Sequence, residues 1–114
     1  IDPSHIFCSS AVRARQTITA IQKENSFDAK IVYLNEFYLC DKDVLLKFLW
    51  EQNHGDDILI VGHNNGLSDF AGYLLDDFID LKTCEFLSLS FDVSCWKETS
   101  KGLAIIQEHF HPSV

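Results

Sequence analysis

Short runs of consecutive apolar residues alternate along this chain with longer stretches in which apolar residues recur every three or four positions. The first run, His5-Ile6-Phe7-Cys8-Ser9, follows Asp2-Pro3 and reads as a buried strand. From Ala11 to about Glu24, Ala14, Ile18 and Ile21 recur at helical spacing, and Ser9-Ser10 stand where serine favours a helix start. Lys30–Leu34 is rich in β-branched and aromatic residues and predicts a second strand. After a connection over Asn35–Cys40, Asp41 is a good N-cap for a helix running to about Gln52, with Val44, Leu45, Phe48 and Leu49 on one face. Asn53-His54-Gly55-Asp56 ends that helix, with glycine just past the last turn. Asp57–Val61 is apolar on successive residues, as a parallel strand covered on both faces should be. Gly62-His63-Asn64-Asn65-Gly66 leads into an amphipathic helix carrying Leu67, Phe70, Ala71, Leu74 and Leu75. Beyond Leu81-Lys82-Thr83 the period changes. Leu87, Leu89 and Phe91 alternate with Ser88 and Ser90, and Lys101-Gly102 turns into a last strand from Leu103 to about Phe110. This predicts a C-terminal hairpin, followed by a loose tail, His111–Val114.

The order β-α-β-α-β-α-β-β predicts an α/β fold in three layers, a mostly parallel sheet with helices on both faces. At 114 residues the chain is a single domain, residues 1–114. A content of 46% hydrophobic and 23% charged residues suits a packed core rather than disorder. No run reaches the roughly 18 apolar residues of a membrane span, and no signal-peptide layout opens the chain, so a soluble cytoplasmic protein without a membrane role is expected. The net charge of −8 argues against nucleic acid as a partner. It leaves room for a small phosphorylated ligand, because one or two arginines in a cleft can hold phosphate on an acidic protein. Cys8, Cys40, Cys84 and Cys95 form no C-x-x-C and no zinc spacing, so reduced thiols are expected, with Cys8 and Cys84 in apolar runs. His109 and His111 suggest no third metal ligand nearby, and Trp50 and Trp96 read as packing residues. No metal or cofactor is implied, and oligomeric state is left open. The chain begins at Ile1 and holds no methionine, which reads as residues missing upstream.

Ligands of parallel sheets bind beyond the carboxyl ends of the strands, and two such ends here carry polar residues. Ser9-Ser10-Ala11-Val12-Arg13 forms a strand-to-helix junction, where free N–H groups and the helix dipole favour an anion. Arg13 adds a fork of donors shaped for phosphate oxygens, the plain alternative being a solvated first turn with two surface arginines. At Gly62-His63-Asn64, glycine lets the backbone turn sharply, and His63 can donate to a phosphoryl oxygen or shuttle a proton. Its alternative is a histidine that caps the next helix or satisfies a loop carbonyl.

Together, Ser-Ser-x-x-Arg-Ala-x-Gln-Thr over Ser9–Thr17 and Val-Gly-His-Asn over Val61–Asn64 resemble the histidine phosphatase superfamily, which also includes the phosphoglycerate-mutase-like enzymes. The short loops and Glu36-Phe37-Tyr38-Leu39 are most similar to its phosphohistidine phosphatase branch, SixA-like, and the likeness extends over essentially the whole chain. The resemblance implies a phosphatase in which an Arg-His-Gly or Arg-His-Ala motif supplies a histidine nucleophile. A phosphohistidine intermediate forms and water hydrolyses it. It further implies Arg13 as a phosphate arginine and His63 as the second histidine, with Ser9 and Asn64 beside the substrate. The substrate would be a phosphohistidine protein or a small phosphomonoester. Glu36, at a strand end, is placed as the acid is in the mutase branch, with a solvated carboxylate as its alternative; a protonated imidazole leaves without a strong acid.

Two departures qualify the likeness. Neither Arg-His-Gly nor Arg-His-Ala occurs here, and His5, His54, His109 and His111 do not match the motif. The family's first strand and helix would precede Ile1, and since that strand is central, its lack would leave two edges unpaired. Residues 1–114 alone are therefore expected to be inactive and poorly stable. Asn65 stands where the family often has proline, a change the turn tolerates. The alternatives are a non-catalytic phosphate- or protein-binding module on the same fold and, ranked lower for want of the longer insertions, a phosphoglycerate-mutase-type enzyme.

Overall fold

A strand that is apolar on both faces is most stable between two others, and β1 (His5–Ser9) occupies that place. The computed structural model describes residues 4–24, 29–52, 57–81 and 86–110. After β1 come α1 (Val12–Glu24), β2 (Ile31–Leu34), α2 (Lys42–Trp50), β3 (Ile58–Val61), α3 (Gly66–Leu75), β4 (Phe86–Phe91) and β5 (Ala104–Phe110). Single 3-10 turns cover Asn35–Phe37 and Trp96–Glu98. β1 pairs in parallel with β2, Ile6 opposite Ile31 and Ser9 opposite Leu34. On its other side it pairs in parallel with β3, His5 opposite Ile58 and Cys8 opposite Val61.

The strand order β2-β1-β3 puts the helices on opposite faces. The chain leaves β1 through α1 toward one edge, then returns past β1 through α2 to the other. Parallel crossovers keep one hand, so reversing the direction of travel reverses the face. The side chains of β1 follow suit: Ile6 and Cys8 pack with Ala14 and Ile18 of α1. Phe7, pointing the other way, packs with Leu45, Leu46 and Leu49 of α2 and Phe70 and Leu74 of α3. Phe48 meets both Phe7 and Phe37 edge-on, with ring centroids 4.7 and 4.9 Å apart. Asp41 caps α2 as its sequence predicts, accepting from the N–H groups of Asp43 at 3.1 Å and Val44 at 3.2 Å.

β4 and β5 pair antiparallel, yet the expected hairpin is not a tight one. They form a separate two-stranded sheet that is not hydrogen-bonded to the parallel sheet among the described residues. Their connection runs through the Trp96–Glu98 turn before the expected turn at Lys101-Gly102, where Gly102 has φ +77°. Packing explains the detour. Trp96 lies edge-on to Phe91 at 5.7 Å, and Trp50 of α2 donates from Nε1 to the Thr99 carbonyl at 2.6 Å. Leu89, Phe91 and Ala104 thereby cover the α2–α3 cluster, while Ile105 and Ile106 remain exposed on both faces of the ribbon.

Cys8 is fully buried, Cys40 half-buried and Cys95 exposed, and all three are free thiols. Burial pushes the Cys8 thiol up to about 11 against the lowering influence of Arg15, and burial also raises Cys40. Among the described residues no helix is long and apolar enough to cross a membrane. The predicted turn over Asn53–Asp56, Cys84 and the tail from His111 lie outside the described residues.

Phe37→Ala empties a fully buried ring site, so it is expected to lower the unfolding free energy by about 3–5 kcal/mol in a urea titration. At pH 8 a thiol reagent should modify Cys95 in the folded protein and reach Cys8 only after unfolding, because a raised thiol holds almost no thiolate there. Peptide mass spectrometry before and after denaturant checks this.

Candidate functional site

Three parallel strands in register bring their carboxyl ends to one edge of the sheet. Ser9 ends β1, Asn35 and Glu36 follow β2, and Gly62 and His63 follow β3. Neighbouring strands whose exits diverge leave a crevice between them, and β1 and β3 are such a pair. From β1 the chain passes to α1 on one face, and from β3 to α3 on the other.

Ser9 and His63 meet in that crevice, 54 residues apart in sequence, with Oγ and Nε2 2.7 Å from each other. Ser9 is fully buried and His63 half-buried. Either partner can supply the proton, depending on the imidazole tautomer. Ser9 Oγ also accepts from the Ala11 N–H at 3.3 Å, which fixes the hydroxyl at the mouth of α1. The ring of His63 is thus turned to β1, and among the described residues it neither caps α3 nor satisfies a loop carbonyl.

Both arginines of the chain sit near this junction, and the structure separates them. Arg15 donates from Nε to the Ser10 carbonyl at 2.8 Å and lies over the Tyr33 ring, 4.3 Å from its centroid. Its fork is engaged on the flank of β2. Arg13, two positions earlier, projects from another side of the helix, is exposed, and has no side-chain partner among the described residues. No acidic residue occupies the first turn of α1, so nothing in that turn neutralises Arg13 or the dipole.

The remaining sequence candidates take different places. Asn64 is bound into the fold: its carboxamide donates to the Leu81 carbonyl and accepts from Ser68 Oγ at 2.7 Å. Ser68 Oγ in turn accepts from the Leu81 N–H at 2.9 Å. With both ends engaged, Asn64 holds the loop after β3 rather than presenting a free amide. Glu36 is exposed in the 3-10 turn after β2, at the same sheet edge as Ser9 and His63. Two surface concavities lie elsewhere, one lined by Lys47, Trp50, Glu51 and Lys97, the other by residues including His5, Phe7 and Val32.

The role assigned to Gly62 is corrected. It does not adopt a positive φ, and a Cβ there would stand 3.8 Å from Leu67 Cδ1, an ordinary contact. The glycine that the site requires is Gly66. A Cβ on it would overlap the Cys40 carbonyl oxygen and lie 3.3 Å from Asp41 Cα. The start of α3 therefore rests directly on the loop after β2, and that loop carries Tyr38, whose ring stands edge-on to His63 with centroids 5.7 Å apart. Neither contact has a local signature, since each joins two segments distant in sequence.

Neither a family model nor a curated protein matches the chain. Solved structures do. A protein designated phosphohistidine phosphatase SixA from Nakamurella multipartitia superposes with a TM-score of 0.82 at 21% identity, covering 100% of this chain and 73% of that one. A second, from Agrobacterium tumefaciens, gives 0.80 at 20% identity over 96% of this chain and 68% of its own. The protein histidine phosphatase SixA complexed with tungstate gives 0.76 at 17%, covering 96% and 69%. The fold is the one these three structures share. This is the α/β architecture that the element order predicts, and at such identity the likeness is one of fold.

Gly66→Ala is expected to cost about 1–3 kcal/mol by forcing α3 off the Cys40 carbonyl. Gly62→Ala should instead be neutral or stabilise by up to about 1 kcal/mol. Thermal unfolding of the two variants side by side distinguishes the two glycines.

Proposed function

We propose that the protein is a phosphatase of the histidine phosphatase superfamily, hydrolysing phosphohistidine in a protein or a small phosphomonoester. The observation that carries this reading is the 2.7 Å approach of His63 Nε2 to Ser9 Oγ in the crevice between β1 and β3. The start of α1, with exposed Arg13 in its first turn, follows Ser9 directly in the chain. The fold shared with SixA structures, one of them holding tungstate, adds support, since tungstate is a tetrahedral oxyanion like phosphate.

Phosphoryl transfer asks the protein mainly for positioning and for charge at the three equatorial oxygens. In the proposed reaction an imidazole nitrogen attacks phosphorus as the bond to the leaving group breaks. Arg13 and the helix mouth hold the equatorial oxygens, and His63 donates to the same group. Water then attacks the phosphohistidine, releasing orthophosphate and restoring the imidazole. A phosphohistidine substrate leaves as a neutral imidazole once protonated, so Glu36 is needed only for an alkoxide leaving group. The resemblance implies a nucleophile from an Arg-His-Gly or Arg-His-Ala segment, a motif that these 114 residues do not contain. The second reading is a phosphate-binding module on this fold without catalysis. Among the described residues, the free thiols Cys8, Cys40 and Cys95 fit a reducing, cytoplasmic setting.

The upstream reading frame separates the two readings: either motif in frame supports the enzyme, and its absence supports the binder. In protein carrying the motif, Arg13→Ala and His63→Ala should each lower turnover of a phosphohistidine substrate by about 10²–10³-fold. Arg13→Ala should leave the melting temperature unchanged, because its side chain is exposed. Parent-like turnover in either variant would remove that residue from the mechanism.

A further inference from the structure

The loop after β2 is held more firmly than its exposure implies. Phe37 anchors it in the core at 0% exposure, and the Tyr38 N–H closes the 3-10 turn on the Asn35 carbonyl at 3.0 Å. Leu39 then takes a left-handed backbone, φ +49°, which a bulky residue seldom adopts. Cys40 sits against Gly66, and Asp41 caps α2. Backbone strain that persists marks a segment whose position its surroundings over-determine. Tyr38 lies inside the segment so held. Tyr38 is 57% exposed, so core packing does not account for it, and its ring lies at 72° to the His63 ring.

From this juxtaposition we infer that Tyr38 is a positioning residue for His63. Resting on the phosphoryl-transfer reading for its purpose, the ring blocks rotation of the imidazole away from β1, keeping Nε2 directed into the crevice beside Ser9. A histidine on a free loop would sample several rotamers and offer its donor to the anion only part of the time. Edge-on aromatic packing supplies a preference of the right size to suppress the others. The hydroxyl is not needed for this, so the ring alone carries the effect.

The test compares Tyr38→Ala and Tyr38→Phe with the parent protein in two measurements. Three-bond carbon couplings report whether His63 keeps one χ1 rotamer, and calorimetry gives the affinity for tungstate. Tyr38→Ala is expected to average the His63 rotamers and to weaken tungstate binding roughly two- to tenfold, whereas Tyr38→Phe keeps both near parent values. The rotamer decides the inference. A single parent-like His63 rotamer in Tyr38→Ala overturns it, as does Tyr38→Phe averaging as fully as Tyr38→Ala. If His63 averages in Tyr38→Ala while tungstate affinity is unchanged, or while tungstate perturbs none of Ser9, Arg13 and His63 in the parent, positioning by Tyr38 stands and the phosphoryl-transfer reading fails.

Discussion

The parallel register of β1 between β2 and β3 is the constraint on which the rest of this structure depends. It satisfies the backbone of a strand whose central residues are apolar, Ile6 and Cys8 pointing to one helix and Phe7 to two others. It also aligns three strand ends along one edge. Because the chain leaves β1 and β3 toward opposite faces, those ends part and open a crevice there. Ser9 and His63 owe their 2.7 Å approach to that geometry and to nothing local.

Around the crevice, two loops brace each other. The loop after β3 is tied inward by Asn64, Ser68 and Leu81, while the loop after β2 is anchored by Phe37 and capped at Asp41. They touch where Gly66 lets α3 begin against the Cys40 carbonyl. A half-buried imidazole on an otherwise exposed edge is thereby flanked by a hydroxyl on one side and an aromatic ring on the other. Rigidity of this kind is what a site relying on positioning requires.

The charge distribution supports the same economy. A chain with a net charge of −8 repels anions at long range, so an anion site must be made at short range, by directed donors. The two arginines are held differently. Arg15 is fastened to Ser10 and Tyr33, stiffening the junction, while Arg13 is left unengaged among the described residues.

Much of the fold was legible in the chain because its signals are local. The apolar run Asp57–Val61, the alternation over Leu87–Phe91, the helical spacing of Ala14, Ile18 and Ile21 and the cap at Asp41 each depend on neighbours within a few residues. Ser9, Arg13 and His63 were legible as candidates for the same reason, standing just beyond strands. What sequence could not supply was anything made by two distant segments. The pairing of Ser9 with His63, the use of Asn64 as a brace, the seating of Arg15 over Tyr33 and the need for glycine at 66 rather than 62 all arise from tertiary contact. So does the long path from β4 to β5, drawn out by the packing of Trp96 and Trp50. Periodicity and capping determine which elements form; steric fit and long-range hydrogen bonds, set only when those elements pack, determine which side chains face one another.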